Sequence, residues 1–504
     1  MKLGQLLVDR ARTTPALEAI VDPQHRCTFQ EFNHRVNQLA NGLVDLGIQA
    51  GDRVAILSKN RLDLITTYYA VWKIGAILVP LNTRLHIEEL CYMLENCQAK
   101  AVIYDEDFVE YRTRLKVISS LDFVIYMGNE KDSEDIHFDT LLRQGSTEEP
   151  SCDAQETDPA IIIYTSGTTG RPKGVIHSHV SLYENALGTL LSGEYREGDR
   201  FLCVLPMFHI SSAVITLMGA LHGFTLVLLP EFHPAYTWEI IEKERITQMS
   251  AVPVMLNIMF QVPGWIELDI SSLRSISCGG TFVPEEMIRR FHEYGIHVLQ
   301  VYGCTEHGVA TVYRSDRMGI EKCHTAGKEI FFTQAKIVSP ITGDVLPPGK
   351  VGEIALKGSR SFLGYWNNPE ETEKVLKDGW FYTGDLGKID EEGFLMIVDR
   401  LKDMFVCGGE NVYPAEVEAI LQAIEGVKEV AVIGVPDDEL GEVPLVFIVK
   451  EPDSDLTQED ILKHCYGRLA TFKCGKNVVF IDQMPRNAMG KIDKNVLREK
   501  YRSS

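Results

Sequence analysis

Short apolar runs alternate with segments of helical periodicity through the first part of the chain, and this alternation limits the folds available to it. Apolar side chains recur at helical spacing over 29–46, and the apolar run 54–57 indicates a buried strand. A second helical segment at about 62–74 precedes the apolar run 76–80. Strands and helices in alternation predict a parallel sheet covered by helices on both faces.

Units of the same kind recur further along the chain, around 101–104, 225–229 and 297–301. The length of 504 residues is too great for one ordinary core, so we expect two or more domains. The polar stretch 128–158 is predicted to be a surface connection.

The character of the sequence changes beyond about residue 349, where turns and short strands replace the alternating pattern. A charged stretch at 399–403 separates two apolar segments, and we place a domain boundary there. The sequence therefore predicts an α/β protein with a large N-terminal domain at 1–398, made of parallel-sheet layers plus a small β-rich subdomain. A smaller α+β domain is expected at 404–504.

A loop rich in glycine and hydroxyl side chains follows the apolar run 160–163, which is predicted to be a buried strand. The loop spans 164–174 and contains three glycines, four serine or threonine side chains and one lysine, Lys173. Backbone N–H groups, hydroxyl groups and a fixed cation together suit a polyphosphate ligand.

Three well-known glycine motifs do not describe this loop. The Walker motif fails because Pro172 stands where its second glycine is required and Gly174 follows the lysine. The chain has no Gly-x-Gly spacing, which excludes the dinucleotide-binding fingerprint, and no Gly-x-Ser-x-Gly hydrolase motif. The loop alone therefore indicates a phosphate ligand without identifying it.

Composition excludes some classes of protein. The formal charge of −21 argues against nucleic-acid binding, although a local basic pocket for an anionic ligand is compatible with it. Eleven cysteines without a Cys-x-x-Cys pair are typical of reduced thiols in a cytosolic enzyme. His177 and His179 belong to no ligand cluster and are interpreted as loop or core residues. The N-terminus lacks a signal-peptide pattern and the apolar segment 213–229 is interrupted, so no membrane span is expected.

Eight motifs in a fixed order carry a more specific resemblance than the loop does. They are the segments 164–174, 205–209, 277–280, 302–306, 382–385, 399–403, 408–414 and 487–491. On these motifs nearly the whole chain resembles the adenylate-forming family of acyl- and aryl-CoA synthetases, adenylation domains of peptide synthetases and luciferases. Within the family it looks most similar to bacterial medium-to-very-long-chain fatty acyl-CoA ligases.

The resemblance implies an ATP-dependent acyl-CoA synthetase that works in two steps. ATP and Mg²⁺ convert a fatty monocarboxylic acid to acyl-AMP with release of pyrophosphate, and coenzyme A then displaces AMP. The residues implied for the phosphates are Thr165, Ser166, Gly167, Thr168, Thr169, Gly170 and Lys173. Those implied for adenine and ribose are Gly279, Gly280, Tyr302, Gly303, Asp385 and Arg400.

The catalytic roles of the family are implied for four residues. Lys491 would bridge the substrate carboxylate and the α-phosphate, and its loss in a desolvated site would cost several kcal/mol of transition-state stabilisation. Thr305 and Glu306 would hold the α-phosphate, with Thr165 and Glu306 as ligands of Mg²⁺. His209 would help to admit the acid.

The C-terminal motifs imply a conformational step. Lys402, in the hinge segment 399–403, would allow a mobile C-terminal domain to rotate between the two half-reactions. The rotation would withdraw the catalytic lysine and bring a coenzyme A-binding loop into place. The loop residues implied are Gly408, Gly409 and Glu410.

The acyl pocket implied by the resemblance is lined by small or apolar residues. They are Ser211, Ser212, Ala213, Cys278, Cys304, His307 and Gly308. Because the set contains no arginine or lysine to pair with a second carboxylate, it favours an acid with an apolar tail. Some long-chain relatives have an aromatic gate where Ala213 stands, so the chain length stays open.

Three alternatives also stay open. They are an aryl-acid CoA ligase of the 4-coumarate or benzoate type, a ligase that passes its acyl group to a carrier protein or amine, and a catalytically silent protein on the same fold. The intact Lys173, Glu306 and Lys491 argue against the silent protein. We expect a carboxylic acid, ATP and coenzyme A as small-molecule partners, no nucleic acid, and a homodimer as a possible assembly. We expect a cytoplasmic location with at most peripheral contact at the inner membrane face.

Overall fold

The computed structural model describes residues 1–129, 135–165, 172–281, 283–408, 410–437, 440–466, 468–475, 477–487 and 490–501. These residues form two units. Unit 1 comprises 1–335 and 356–381, and unit 2 comprises 336–355 and 382–504. The functional boundary at 399–403 stays a prediction.

Helices are distributed along both units. The α-helices are α1 Leu3–Thr13, α2 Phe29–Asp45, α3 Leu62–Lys73, α4 Ile87–Cys97, α5 Arg112–Leu115, α6 Phe138–Gln144, α7 His179–Ser192, α8 Ile210–His222, α9 Pro234–Lys243, α10 Pro253–Phe260, α11 Glu285–Glu293, α12 Ser315–Met318, α13 Pro369–Val375, α14 Pro414–Gln422, α15 Gln458–Tyr466 and α16 Lys494–Tyr501. Shorter 3₁₀ helices span Glu106–Tyr111, Trp265–Glu267, Ile320–Lys322 and Thr471–Lys473. No helix among the described residues is both long and apolar enough to cross a membrane.

The strands alternate with helices in unit 1 and continue through unit 2. They are β1 Glu18–Val21, β2 Arg26–Thr28, β3 Arg53–Leu57, β4 Ile77–Pro80, β5 Ala101–Asp105, β6 Phe123–Met127, β7 Ile136–His137, β8 Pro159–Thr165, β9 Lys173–Ser178, β10 Arg200–Cys203, β11 Thr225–Leu228, β12 Gln248–Ala251, β13 Ser275–Gly279, β14 His297–Cys304, β15 Gly308–Arg314, β16 Lys328–Glu329, β17 Gln334–Val338, β18 Gly352–Lys357, β19 Gly364–Tyr365, β20 Leu376–Lys377, β21 Trp380–Ile389, β22 Leu395–Arg400, β23 Phe405–Cys407, β24 Glu410–Val412, β25 Val427–Asp437, β26 Gly441–Lys450 and β27 Asn477–Phe480.

Two large sheets with parallel central strands form the framework of unit 1. One follows the order β19-β9-β8-β4-β3-β5-β6-β7 and the other the order β16-β15-β14-β13-β12-β10-β11-β1-β2. Antiparallel pairs join β8 to β9 and β14 to β15. Helices pack on these sheets as the alternating sequence predicts, so the α/β class with a larger N-terminal part is confirmed.

The first two helices form where the sequence predicts them. A capping box starts α2, because the Thr28 side chain accepts from the Glu31 N–H and the Glu31 carboxylate accepts from the Thr28 N–H at 2.8 Å. The periodic apolar side chains of α2 lie in the core, and α3 is buried along its whole length. Both elements therefore confirm the predictions at 29–46 and 62–74.

The prediction that 128–158 is only a surface connection is wrong for part of the segment. It contains β7 and α6 among its described residues. Phe138, Leu141 and Leu142 are spaced to share one helical face, and all three are buried in the core that also contains α2. The polar residues on either side obscured this short apolar pattern.

Unit 2 contains a five-stranded sheet whose strands are mainly antiparallel. In it β24, β23, β26 and β25 are neighbours, and β27 lies parallel to β26. Alternation along β25 places Val430 and Val432 in one apolar cluster with α14 and α15, and Ala431 and Ile433 in another with Leu497 of α16. The small sheet is therefore covered by helices on both faces.

Candidate active site

The phosphate loop begins and ends on paired strands. Thr165, the last residue of β8, lies opposite Lys173, the first residue of β9, in the antiparallel register. The predicted phosphate ligands Ser166, Gly167, Thr168, Thr169 and Gly170 lie outside the described residues. The strands thus fix the two ends of the predicted loop at neighbouring positions of the sheet.

Lys173 lies in a partly buried electrostatic cluster. Its side chain is 12% exposed and forms an ion pair with Glu371 of α13. Its ammonium nitrogen also lies 5.2 Å from the centre of the Tyr365 ring, within the range of a cation–π contact. The lysine is therefore held between a carboxylate and an aromatic face.

The Tyr365 side chain connects this lysine to the second predicted motif. Its hydroxyl donates to Glu306 Oε1 at 2.9 Å, and the Glu306 carbonyl accepts from the Phe362 N–H at 2.8 Å. Burial first, and then the Glu306 charge, raise the pKa of Tyr365. Lys173, Tyr365 and Glu306 thus form one contiguous group in unit 1.

Thr305 and Glu306 occupy the tight turn between β14 and β15, and a buried histidine fixes this turn. The His177 Nε2–H donates to the Thr305 carbonyl at 2.7 Å, while Nδ1 lies 3.0 Å from Ser181 Oγ. Burial lowers the pKa of His177 to about 4, so the ring is neutral near pH 7. His177 and His179 are both fully buried, which confirms their interpretation as core residues.

A second buried polar group lies beneath the same turn. His307 is fully buried, with Nδ1 2.8 Å from Ser361 Oγ and Nε2 3.2 Å from Thr333 Oγ1. Burial lowers the pKa of His307 to about 3, and the Arg360 charge acts in the same direction. His307, predicted to line the acyl pocket, therefore has both ring nitrogens engaged by hydroxyl groups.

Arg360 is a buried cation with mainly neutral partners. Its Nε donates to Asn185 Oδ1 at 3.0 Å and its Nη1 to the Phe331 carbonyl at 3.1 Å. Burial lowers its pKa to about 9. Asn185 also packs against Gly308, which follows the turn. A Cβ added to Gly308 would lie 1.8 Å from Asn185 Oδ1, and Gly308 has a φ of +74°. These contacts require glycine at position 308.

The residues predicted for adenine meet at the carboxyl ends of two parallel strands. Gly279 ends β13 and pairs with Val301 of β14, directly before Tyr302 and Gly303. A Cβ on Gly279 would lie 2.3 Å from the Val301 carbonyl oxygen, and Gly280 has a φ of +79°. The carboxyl ends of parallel strands are where open α/β sheets bind ligands.

The remaining predicted acyl-pocket residues are divided between a helix start and the core. His209 is the N-cap of α8, and its ring lies 4.4 Å from that of Phe208, centre to centre. Ser211, Ser212 and Ala213 form the first turn of α8, and the last two are buried. Cys278 is fully buried in an apolar cluster, whereas Cys304 is half-buried beside Tyr365.

Three of the predicted residues are brought together in unit 2. Asp385 lies opposite Arg400 in the β21–β22 register, with Arg400 Nε 3.7 Å from Asp385 Oδ1. The pKa of Lys491 is lowered by burial and by the Arg400 charge, while Asp385 opposes the shift. Lys491 therefore lies within electrostatic reach of both residues, although more than ninety positions separate it from them.

Among the described residues, the predicted hinge and coenzyme A residues are exposed. Lys402 is exposed in the turn after β22, where the Asp399 carboxylate accepts from the Ala415 N–H at 2.8 Å. Gly408 has a φ of +59° and, like Glu410, is exposed; Gly409 lies outside the described residues.

Sequence reasoning missed four of the residues that build these groups: Tyr365, Glu371, Asn185 and Arg360. One local signal was available, because Asn368-Pro369 is typical of a helix N-terminus and the Asn368 side chain does cap α13. That pattern predicts the helix that carries Glu371. The contact between Glu371 and Lys173 spans 198 positions, however, and no local sequence pattern indicates it.

Comparison with protein families agrees with the fold. The model described as AMP-binding enzyme matches residues 7–366, and that described as AMP-binding enzyme C-terminal domain matches residues 416–491. The chain therefore belongs to the AMP-binding enzyme family, within the adenylate-forming superfamily. ATP and coenzyme A are substrates of this family.

Three similar proteins indicate the class of enzyme within the family. The long-chain-fatty-acid–CoA ligase FadD13 of Mycobacterium tuberculosis is 38% identical over 99% of this chain and 98% of its own. A feruloyl-CoA synthase of Amycolatopsis is 36% identical over 99% of both chains. The structure of o-succinylbenzoate coenzyme A synthetase from Bacillus subtilis with ATP and magnesium is 31% identical, covers 98% of this chain and 99% of its own, and has a TM-score of 0.86. The protein is accordingly an AMP-forming ligase of the acyl- and aryl-CoA class.

Proposed function

We propose that this ligase converts a fatty monocarboxylic acid to its coenzyme A thioester through an acyl-adenylate. The observation that carries the fatty-acid assignment is the 38% identity to FadD13 along almost the whole of both chains. The acyl-pocket residues support it, because Ala213 and Cys278 are apolar and buried. The carboxylate oxygen would attack the α-phosphorus of ATP with loss of pyrophosphate, and the coenzyme A sulfur would then attack the acyl carbon with loss of AMP.

Unit 1 would bind the triphosphate in this proposal. Lys173 and Thr165 would contact the phosphates from the two ends of the loop, while Thr305 would contact the α-phosphate from its turn. The charge of Lys173 would reduce the repulsion that an attacking carboxylate meets. The hydrogen bond from Tyr365 would hold the Glu306 carboxylate toward the same site.

Magnesium fits the donors that these residues offer. Thr165 and Glu306 supply hydroxyl and carboxylate oxygens, which Mg²⁺ prefers, and the ion commonly completes its shell with phosphate oxygens and water. Within the described ranges, no group of three or more histidine, cysteine or acidic side chains is placed to bind a metal. A site completed by the nucleotide is consistent with that finding. The ion would neutralise phosphate charge.

Unit 2 would supply the ribose contacts and the catalytic lysine. Asp385 would accept from the ribose hydroxyls, with Arg400 assisting, and Lys491 would bridge the carboxylate and the α-phosphate. The observed grouping of these three side chains supports the assignment. Lys402 would act as the hinge that later presents Gly408 and Glu410 to coenzyme A.

An aryl acid is the second candidate substrate. The 36% identity to a feruloyl-CoA synthase over 99% of both chains favours it.

A panel of acids tests both candidates in one experiment. Pyrophosphate release would be measured for saturated fatty acids of increasing length and for hydroxycinnamic and benzoic acids, with and without coenzyme A. We expect the highest kcat/KM with a fatty acid and thioester formation when coenzyme A is present. A preference for aryl acids would replace the first candidate by the second. Pyrophosphate without thioester would indicate a carrier-protein or amine acceptor, and no pyrophosphate with any acid would contradict both.

A further inference from the structure

Glu371 is an acidic residue placed directly on the lysine of the phosphate loop. It lies in the first turn of α13, where its own N–H donates to the Asn368 side chain at 3.2 Å. Its carboxylate forms an ion pair with Lys173, and the two side chains are only 19% and 12% exposed. No step of the two half-reactions requires an acid at this position.

The surroundings of Glu371 keep it charged and in place. Hydrogen bonds from Lys173, and then from Lys374, lower its pKa to about 2, so it is ionised throughout the range in which the enzyme would work. The Tyr365 N–H donates to Thr372 Oγ1 at 2.9 Å, which ties the neighbouring residue of α13 to the tyrosine that contacts Glu306. The carboxylate thus belongs to the same contiguous group as Lys173.

We propose that Glu371 is a positioning residue that competes with the phosphates of the nucleotide for Lys173. This inference rests on the proposed function, in which Lys173 contacts the β- and γ-phosphates of ATP. In the free enzyme the carboxylate holds the ammonium group over the Tyr365 ring. When ATP binds, Lys173 exchanges this partner for phosphate oxygens, and when pyrophosphate forms, the carboxylate competes for the lysine again and favours release of the product.

A purely structural role for Glu371 leads to the opposite expectation. If the ion pair served only to hold α13 or to fix the lysine in its binding position, its removal would weaken phosphate binding. If it competes, its removal leaves Lys173 available and strengthens phosphate binding. An ion pair of this exposure is worth up to about 1 kcal/mol, which corresponds to roughly fivefold in affinity.

The test compares Glu371→Gln with Glu370→Gln, a matched control that removes the same charge from the adjacent, exposed residue of α13. Binding of magnesium pyrophosphate and of MgATP would be measured by calorimetry on the full chain, together with steady-state kinetics. We expect about fivefold tighter pyrophosphate binding and a correspondingly lower KM for ATP in E371Q, with the KM for the acid unchanged. Unchanged or weaker binding, or an equal effect of E370Q, would overturn the inference.

A second variant keeps the test decisive if E371Q does not fold. Lys374 is 66% exposed and is the other cation paired with Glu371. Lys374→Gln removes one of the two lysines that pair with Glu371, so the carboxylate should hold Lys173 more strongly and pyrophosphate should bind more weakly. Tighter or unchanged binding would contradict the proposal.

The calorimetric readout separates this inference from the proposed function. If the wild-type protein forms no pyrophosphate from any acid but E371Q still binds pyrophosphate more tightly, the proposed function fails and the competition stands. If the wild type turns over and the binding constants are equal, the competition alone fails. If the wild type binds neither ATP nor pyrophosphate, both are refuted.

Discussion

Replacing Tyr365 with phenylalanine tests whether the group formed by Lys173, Tyr365 and Glu306 positions the carboxylate that we propose to bind Mg²⁺. The substitution removes the 2.9 Å hydrogen bond to Glu306 Oε1 but keeps the ring on which Lys173 lies. A hydrogen bond to a charged acceptor contributes about 1.5–3 kcal/mol. If this contribution is expressed in the transition state for adenylation, kcat should fall by about 10- to 160-fold, because each 1.36 kcal/mol is a factor of ten.

The assay is pyrophosphate release at saturating ATP and acid, with the Mg²⁺ concentration varied. We expect a lower maximal rate and a higher Mg²⁺ concentration at half-maximal rate in Y365F. Tyr313→Phe is the matched control, because the Tyr313 hydroxyl also donates at 2.9 Å, but to the neutral Gly319 carbonyl. It should affect stability by about 1 kcal/mol and leave the Mg²⁺ dependence unchanged. An unchanged rate and Mg²⁺ dependence in Y365F would refute the positioning role.

Three further predictions concern Lys491, Lys402 and Gly308. Lys491→Ala should abolish adenylation but leave thioester formation from supplied acyl-AMP largely intact, and equal loss of both half-reactions would contradict its assigned role. Lys402→Pro should damage one half-reaction selectively, measured in the same two assays; a parallel loss would count against domain alternation. Gly308→Ala should destabilise the protein by about 3 kcal/mol in urea unfolding, since the added Cβ overlaps Asn185 Oδ1 at a positive φ. Gly264→Ala, at a φ of +75° with no atom within 4 Å of the added Cβ, should cost only about 1 kcal/mol, and equal losses would exclude a steric contribution.

Local periodicity predicted much of the framework. The elements α2, α3 and β8 form where apolar spacing and an isoleucine run place them, because each is specified by residues close in sequence. Helix α6 was missed because only seven residues form it and polar residues surround it. Short elements depend on burial against distant segments, which periodicity does not report.

The candidate site likewise contains residues that the sequence predicts and residues that it does not. Lys173, Thr305 and Glu306 belong to motifs that can be read along the chain, and the structure places the first and last of them in one group through Tyr365. Glu371 could not be predicted as a partner, because nothing near α13 indicates contact with a loop 198 positions away. The buried arginine beneath the turn was missed for the same reason, since Arg360 stands among serines that suggest a surface segment.

The packing of Gly308 against Asn185, and of Asn185 against Arg360, constrains how this enzyme could evolve or be redesigned toward other acids. Any side chain at position 308 displaces the Asn185 amide, and a smaller residue at 185 removes an acceptor from a guanidinium that is fully buried. Single substitutions at these positions are therefore expected to destabilise the protein more than a combination in which the three side chains fit together. Libraries aimed at new acid specificity should randomise the three positions together, because substitutions at contacting positions are not additive.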